Sequence, residues 1–308
     1  MHSRINIFDV GARYGVHHTW QDLFDKRLCN YYAFEPDIKE YKRLTNKYEN
    51  EDLYHIVNMA MGKERNNKHS LYIYKHHGNS SLLNINENSD WFKRHASAGE
   101  VESAQNIKME TIDNYSKNNN IRCVFLKTDT EGYDLSVIEG SLNQLKNIIG
   151  IQCEAYFQET YINAGMFNDV FSFLTNNGFI LLNFDYDGRG LSRNYFCVGN
   201  KYGTITELDA VFVKPLEMIK KNELLIYAIF CFNNHASDLA LDALFEARNC
   251  GILNVDKQVP ILEYLANEFI LIAKELEHAP YNIFEQAVRD YEYIFQRDYP
   301  RYHRYYSD

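Results

Sequence analysis

The sequence predicts an α/β fold: a mostly parallel sheet built from βαβ units with helices on both faces, followed by an all-helical extension. Three observations predict it. From residue 5 to about 214, short apolar runs alternate with amphipathic stretches. After Pro215 the periodicity becomes purely helical. At 308 residues, 45% hydrophobic and 24% charged, the chain can bury a large core and has room for one big domain and a smaller appendage. The boundaries this implies are 1–215 for a ligand-binding α/β domain and 216–308 for a helical C-terminal domain.

INIFDV (5–10) is the first expected strand, YYAFEP (31–36) the second, LYHIV (53–57) the third and RCVFLKTD (122–129) the fourth. NIIGIQCEA (147–155), GFILLNF (178–184) and LDAVFVK (208–214) complete seven. Between them, Lys39 to Tyr48, Leu135 to Leu145 and Asn168 to Asn177 carry apolar residues three and four apart, as crossover helices do, and Gly178 is placed to end the last. The stretch from Lys63 to Met109, with a strand-like LYIYK (71–75) and a polar GNSSLL (78–83), reads as an insertion over one edge of the sheet. In the extension, Leu262, Leu265, Phe269, Ile272 and Leu276 form one apolar stripe, and Phe284, Val288, Tyr291 and Phe295 another. Two long helices follow, separated at Pro280 and packed on each other or on the sheet. The aromatic ending YPRYHRYYSD is read as core.

A formal net charge of −10 gives no basic footprint for a polyanion, so no nucleic-acid partner is expected. Cys29, Cys123, Cys153, Cys197, Cys231 and Cys250 are scattered with no C-x-x-C pair, as for reduced structural cysteines. MHSRINIFDV runs directly into a strand, and the longest later apolar run, Leu224 to Phe232, is too short to span a bilayer. The expectation is a cytoplasmic protein without membrane insertion.

FDVGARYG (8–15) places two glycines after the first strand, where an open α/β sheet holds its ligand and backbone must approach it closely. The spacing G-x-x-x-G is neither G-x-G-x-x-G nor a P-loop, which disfavours a nicotinamide-dependent oxidoreductase or a nucleotide triphosphate. Glu35 closes the second strand twenty residues past Gly15, where a carboxylate can accept from both hydroxyls of a ribose. Asp9 stands ready to orient the turn or receive an ammonium. A ribose, an adenine and a cationic end without phosphate describe S-adenosylmethionine. In LKTDTEGYDLSVIEG (126–140), Lys127, Asp129 and Glu131 end the fourth strand, and charges there are costly unless they face a ligand or one another.

With these motifs the chain resembles the FkbM-type methyltransferases, S-adenosylmethionine-dependent enzymes of the seven-stranded, Rossmann-like class I methyltransferase fold. FDVGARYG, YAFEPD (32–37), the A-x-G of NMAMG (58–62), GNSSL (78–82), METIDNY (109–115) and LKTDTEGYDLSVIEG carry the resemblance in the family's order, with IQCEAYF (151–157) following. Arg13 stands where the family most often has Asn, and Asp134 where it usually has Glu. The resemblance implies that Asp9, Gly11, Ala12 and Gly15 wrap the methionine end, Glu35 takes the ribose, Met59 and Ala60 flank adenine, and Asp129 sits near the sulfonium; Arg13 and Pro36 are counted with the cofactor-binding residues. It covers residues 5 to about 185 and says nothing of the helical tail.

Methyl transfer to a hydroxyl needs an aligned acceptor and a base. Glu131 is the first candidate base and Glu154 the second, with Lys127 beside them. Asp129, Glu131 and Glu154 could instead hold magnesium or calcium, although no metal is the expectation. His17 and His18 are the histidines nearest the turn, and His76, His77, Ser80 and Ser81 could touch an acceptor. The expected activity is O-methylation of a sugar hydroxyl in a surface polysaccharide or glycoconjugate, so the partner is a small-molecule or glycan acceptor. The alternative is an inactive methyltransferase-like scaffold that recruits a protein partner, or pairs with itself, through the helical tail.

Overall fold

A computed structural model describes residues 4–97, 99–191, 205–253, 255–275 and 281–297. The chain divides into two compact units, one from Ser3 to Pro215 and one from Leu216 onward.

The first unit runs β1 (Ile5–Val10), α1 (His18–Asp25), β2 (Cys29–Phe34), α2 (Ile38–Lys47), β3 (Tyr54–Val57), β4 (Ala60–Met61), β5 (Asn66–Tyr74), α3 (Asp90–His95), β6 (Val101–Glu110), α4 (Ile112–Asn119), β7 (Phe125–Thr128), α5 (Asp134–Glu139), β8 (Gly150–Tyr156), α6 (Phe167–Asn176), β9 (Ile180–Leu191) and β10 (Ile205–Val213). Its main sheet has the order β3-β2-β1-β7-β8-β10-β9. All neighbours are parallel except β10, which is antiparallel to both β8 and β9. This is the class I methyltransferase order. The direction of winding reverses between β1 and β7, and ligands of open α/β sheets bind at such a point.

Side-chain alternation along the strands assigns the helices to the two faces. On β7, Phe125 stacks on Trp20 of α1 at 5.3 Å between ring centroids. Its neighbour Leu126 faces the opposite side, in the cluster that holds Ile112 of α4, Val137 and Ile138 of α5, and Val170 and Leu174 of α6. Phe8 of β1 joins that cluster with its ring against Tyr115 of α4. Asp37 caps α2 by accepting from the Lys39 amide, and Thr111 caps α4 by accepting from the Asn114 amide. Gly178, at φ 83°, ends the turn after α6.

Two expectations about this unit need correction. The helix expected from Leu135 to Leu145 ends at Glu139, because the Gly140 carbonyl accepts from the Asp113 amide and the Asp113 carboxylate accepts from the Asn143 and Gln144 amides, which takes these groups out of the helical ladder. The stretch from Lys63 to Met109 does not simply cover a sheet edge. It forms most of a second sheet, β4-β6-β5, whose following loop reaches the cleft: Ser81 Oγ donates to the Glu131 carbonyl and Tyr161 Oη donates to that of Asn79. Expected strands two, four, five, six and seven also begin or end a few residues away from the observed ones.

In the second unit, the apolar run becomes α7 (Leu224–Asn233), whose residues from Leu224 to Phe232 are almost all buried. It is followed by α8 (Ser237–Asn249), α9 (Val255–Glu275) and α10 (Tyr281–Phe295). α9 and α10 pack on each other through Phe269 against Tyr291 and Phe295. Leu276, Pro280, Cys197 and the aromatic ending lie outside the described residues. Cys29, Cys123, Cys153, Cys231 and Cys250 are free thiols. No helix among the described residues is long and apolar enough to cross a membrane.

Candidate active site

Two adjoining cavities open at the carboxyl ends of β1, β2 and β7. The first is lined by Gly11, Arg13, Glu35, Pro36, Ala60, Asp129, Thr130 and Glu131, with Met61, Leu71 and Leu82 as apolar wall and Tyr14, His76, Asn79 and Ser80 at its polar side. The second is lined by Asp9, Ala12, Gly15, His17, His18, Lys127, Glu154 and Asp209. Gly11, Tyr14, Asp129 and Glu131 belong to both.

The glycine turn is built for close approach. Gly11 has φ 88°, and a Cβ there would lie 1.8 Å from the carbonyl oxygen of Asp129. Its amide and that of Ala12 donate to the Phe34 carbonyl, tying the turn to the end of β2. Gly15, at φ 99°, leaves room for the Tyr48 hydroxyl.

Glu35 is 3% exposed. Its Oε1 accepts from the Asp37 amide at 2.8 Å, and Asn58 Nδ2 donates to the carbonyls of Glu35 and Pro36, which fixes the turn. Burial pushes the Glu35 carboxyl up to about 7, with Arg13 pulling the other way. Arg13 bonds Asp37 Oδ2 at 2.9 Å and so bridges the glycine turn to the β2 loop. Burial works against ionised Asp37, but that guanidinium and the Lys39 amide hold its carboxyl below the ordinary range. Of the pair expected to flank adenine, Ala60 lines the first cavity and Met59 packs against the core.

Asp9 and Lys127 lie beneath the second cavity. Asp9 is 1% exposed and accepts from the Tyr31 hydroxyl. Lys127 Nζ is 3.5 Å from Asp9 and 3.2 Å from Asp129. Burial raises the Asp9 carboxyl despite Lys127. Burial disfavours the Lys127 ammonium too, yet Asp129 and Asp9 outweigh it and raise its pKa. Lys127 is therefore a fixed cation that compensates two acids. His17 is lowered to about 2 by burial and by Lys127, so its ring is neutral and does not titrate near pH 7.

Glu131 adopts φ 54°, a left-handed conformation that costs a non-glycine residue energy and recurs at functional sites. Its Oε2 accepts from Tyr161 Oη at 2.7 Å, while Tyr156 Oη lies 3.1 Å from it and 2.7 Å from Glu154 Oε2. Burial first, then neighbouring acids, raise Glu131 and Glu154 well above the usual carboxylate range. Burial and Asp129 raise Glu207 on β10 to about 7. Asp129, Glu131 and Glu154 bring one oxygen each within 4.8 Å of one another, a donor set that a hard cation could also use. Tyr14, Thr130, Tyr133, Tyr156, Tyr161, Glu207 and Asp209 join the site without having been singled out in the sequence.

The methyltransferase FkbM domain model matches residues 9–181, more than half of the chain. The chain belongs to the FkbM methyltransferase family. No curated protein matches significantly. Among solved structures, a precorrin-6y C5,15-methyltransferase from Geobacter metallireducens GS-15 is similar at 9% identity and a TM-score of 0.32, covering 70% of this chain and 82% of that one. The 23S rRNA methyltransferase ErmE is similar at 10% identity and a TM-score of 0.29, covering 94% and 91%.

As an FkbM methyltransferase the protein uses S-adenosylmethionine. The first cavity suits it, since it joins apolar walls for a purine to a buried acid at the end of β2. The glycine whose place a Cβ would overfill adds the close backbone approach that such a ligand needs.

Proposed function

We propose that the protein is an O-methyltransferase whose acceptor is a hydroxyl of a sugar, in a surface polysaccharide or glycoconjugate, and that it works in the cytoplasm. The observation that carries the reading is Glu131: a half-buried carboxyl on the wall common to both cavities, at the end of the strand beside the glycine turn. Hydroxyls ionise only at high pH, so transfer to one calls for a base with a raised pKa beside the methyl donor, whereas a base is less necessary for a thiolate or a neutral amine. His76, Asn79, Ser80 and Tyr14 supply polar groups on the same cavity, as a polyhydroxylated acceptor requires.

S-adenosylmethionine supplies an electrophilic methyl on a sulfonium when bound. The chain's residues do the rest. Glu35 would accept from the ribose hydroxyls, with Arg13 and the Asp37 amide holding the loop in place. Gly11, Ala12 and Gly15 would let backbone close on the methionine end, and Asp129 would face the positive charge. Lys127 pairs with Asp9 and Asp129 and holds both in position. Glu131 takes the acceptor's proton. The helical second unit is assigned to docking, of a protein partner or of a second copy.

A screen of hydroxylated sugars, amines and thiols against methyl-labelled S-adenosylmethionine tests the reading. Label on a sugar oxygen supports it; label only on nitrogen, sulfur or carbon overturns it.

A further inference from the structure

Tyr156 and Tyr161, each 1% exposed, enclose the two glutamates of the site. Tyr156 Oη is within hydrogen-bond distance of both acids, 3.1 Å from Glu131 Oε2 and 2.7 Å from Glu154 Oε2. A phenol carries one proton. It can donate to one carboxyl and must accept from the other, and an ionised carboxylate has nothing to donate. One of the two acids therefore holds a proton. Tyr161 sharpens the count, because its single proton is claimed by the Asn79 carbonyl at 3.0 Å as well as by Glu131 at 2.7 Å.

The surroundings favour that proton. Asp129 and Glu207 face both acids, and Asp134 also faces Glu154. Lys127, the cation lining the second cavity, is engaged by Asp9 and Asp129, with Asp209 also nearby. His17 is neutral, and His18 lies against it at 4.1 Å between rings. Two ionised carboxylates in this half-buried place would repel each other. The two acids also open differently: Glu131 lines both cavities, Glu154 only the second.

We propose that Glu131 and Glu154 share one proton through Tyr156, and that Tyr156 is the positioning residue through which the acceptor's proton leaves the cofactor cavity for the second one. The relay rests on the reading of Glu131 as base. At rest Glu154 is protonated and donates to Tyr156, which donates to ionised Glu131. Glu131 takes the hydroxyl proton as the acceptor oxygen forms its bond to methyl and the methyl–sulfur bond breaks. Glu154 then releases its proton to water in the second cavity. Glu131 passes its proton to Tyr156 as Tyr156 passes its own to Glu154. The network returns to its starting state, and one proton has left per methyl transferred.

Infrared difference spectroscopy of the full chain in chelated buffer at pH 7 tests the shared proton without needing the acceptor. Wild type minus Glu154→Gln should show one protonated-carboxyl band lost. Tyr156→Phe, which changes neither acid, should shift that band. A blank difference for Glu154→Gln overturns the proposal, as does an unmoved band in Tyr156→Phe. So does a band that millimolar magnesium removes, since the three acids would then be a cation site in the working protein. Binding of S-adenosylhomocysteine is measured on the same samples: unchanged binding with a blank difference fails the proton sharing alone, whereas absent binding fails the functional reading.

Discussion

Replacing Gly11 with alanine probes the geometry on which the cofactor cavity depends. The glycine has φ 88°, and the added Cβ would lie 1.8 Å from the Asp129 carbonyl oxygen, a backbone atom that cannot rotate away. Left-handed backbone costs an alanine about 1–2 kcal/mol. Moving Asp129 back also stretches the bond from its amide to the Val10 carbonyl, 2.9 Å long, which joins β7 to β1. Leaving such a buried group unpaired costs about 1–3 kcal/mol. Together these make roughly 2–5 kcal/mol, which lowers Tm by about 4–20 °C in a domain of roughly 150–250 residues. S-adenosylhomocysteine should bind at least about tenfold more weakly, the equivalent of 1.4 kcal/mol lost at the cavity floor. Gly251→Ala is the control: Gly251 also has positive φ, 67°, but a Cβ there meets nothing within 4 Å, so only the conformational cost of about 1–2 kcal/mol applies. Differential scanning calorimetry and titration calorimetry measure both variants. Equal Tm losses for the two, with undisturbed binding in Gly11→Ala, would refute the close-approach argument.

Other substitutions separate the roles of the charged residues. Glu35 has a folded pKa raised to about 7, so the folded state binds more protons than the unfolded one between about 4.5 and 7, and stability falls as pH rises through that window. Glu35→Gln should therefore raise the Tm of the ligand-free protein at pH 8 and not at pH 4, while weakening cofactor binding; a lower Tm at pH 8 counts against the assignment. Lys127→Met leaves Asp9 and Asp129 uncompensated and should destabilise by about 3–5 kcal/mol, as for other broken buried pairs, in chemical denaturation; a loss under about 1 kcal/mol contradicts the counter-ion role. Glu131→Gln should bind S-adenosylhomocysteine within a few-fold of wild type yet lose at least about 100-fold in kcat with the first acceptor found, a loss typical of removing a general base. Near-normal turnover removes Glu131 as base.

The sequence makes the sheet legible wherever one strand is a clean apolar run: INIFDV coincides with β1 residue for residue. It misplaces ends where tertiary contact decides, as after Glu139, where Asp113 of α4 takes the Gly140 carbonyl and the Asn143 and Gln144 amides and α5 stops early. The second sheet is harder to read because β6 is exposed along VESAQ and carries little apolar signal. At the site, the motif residues are visible because charge at a strand end is costly without a partner. Tyr156 is not visible, since a tyrosine in an apolar run looks like core until its hydroxyl is seen on a carboxylate, and Tyr161, in the polar QETYIN, looks like an ordinary loop residue. Lys127 is legible by the same rule of strand-end charge, and its position between Asp9 and Asp129 makes it their counter-ion.

Calorimetric titration of wild type and Glu35→Ala with S-adenosylhomocysteine at pH 8 tests the central claim most directly. Wild type should bind one equivalent with Kd near ~1–100 μM, and loss of the ribose contacts in the variant should weaken this by at least about 100-fold, equivalent to about 2.7 kcal/mol. Binding that is equal in the two proteins, or absent from wild type, would contradict a cofactor held at the end of β2.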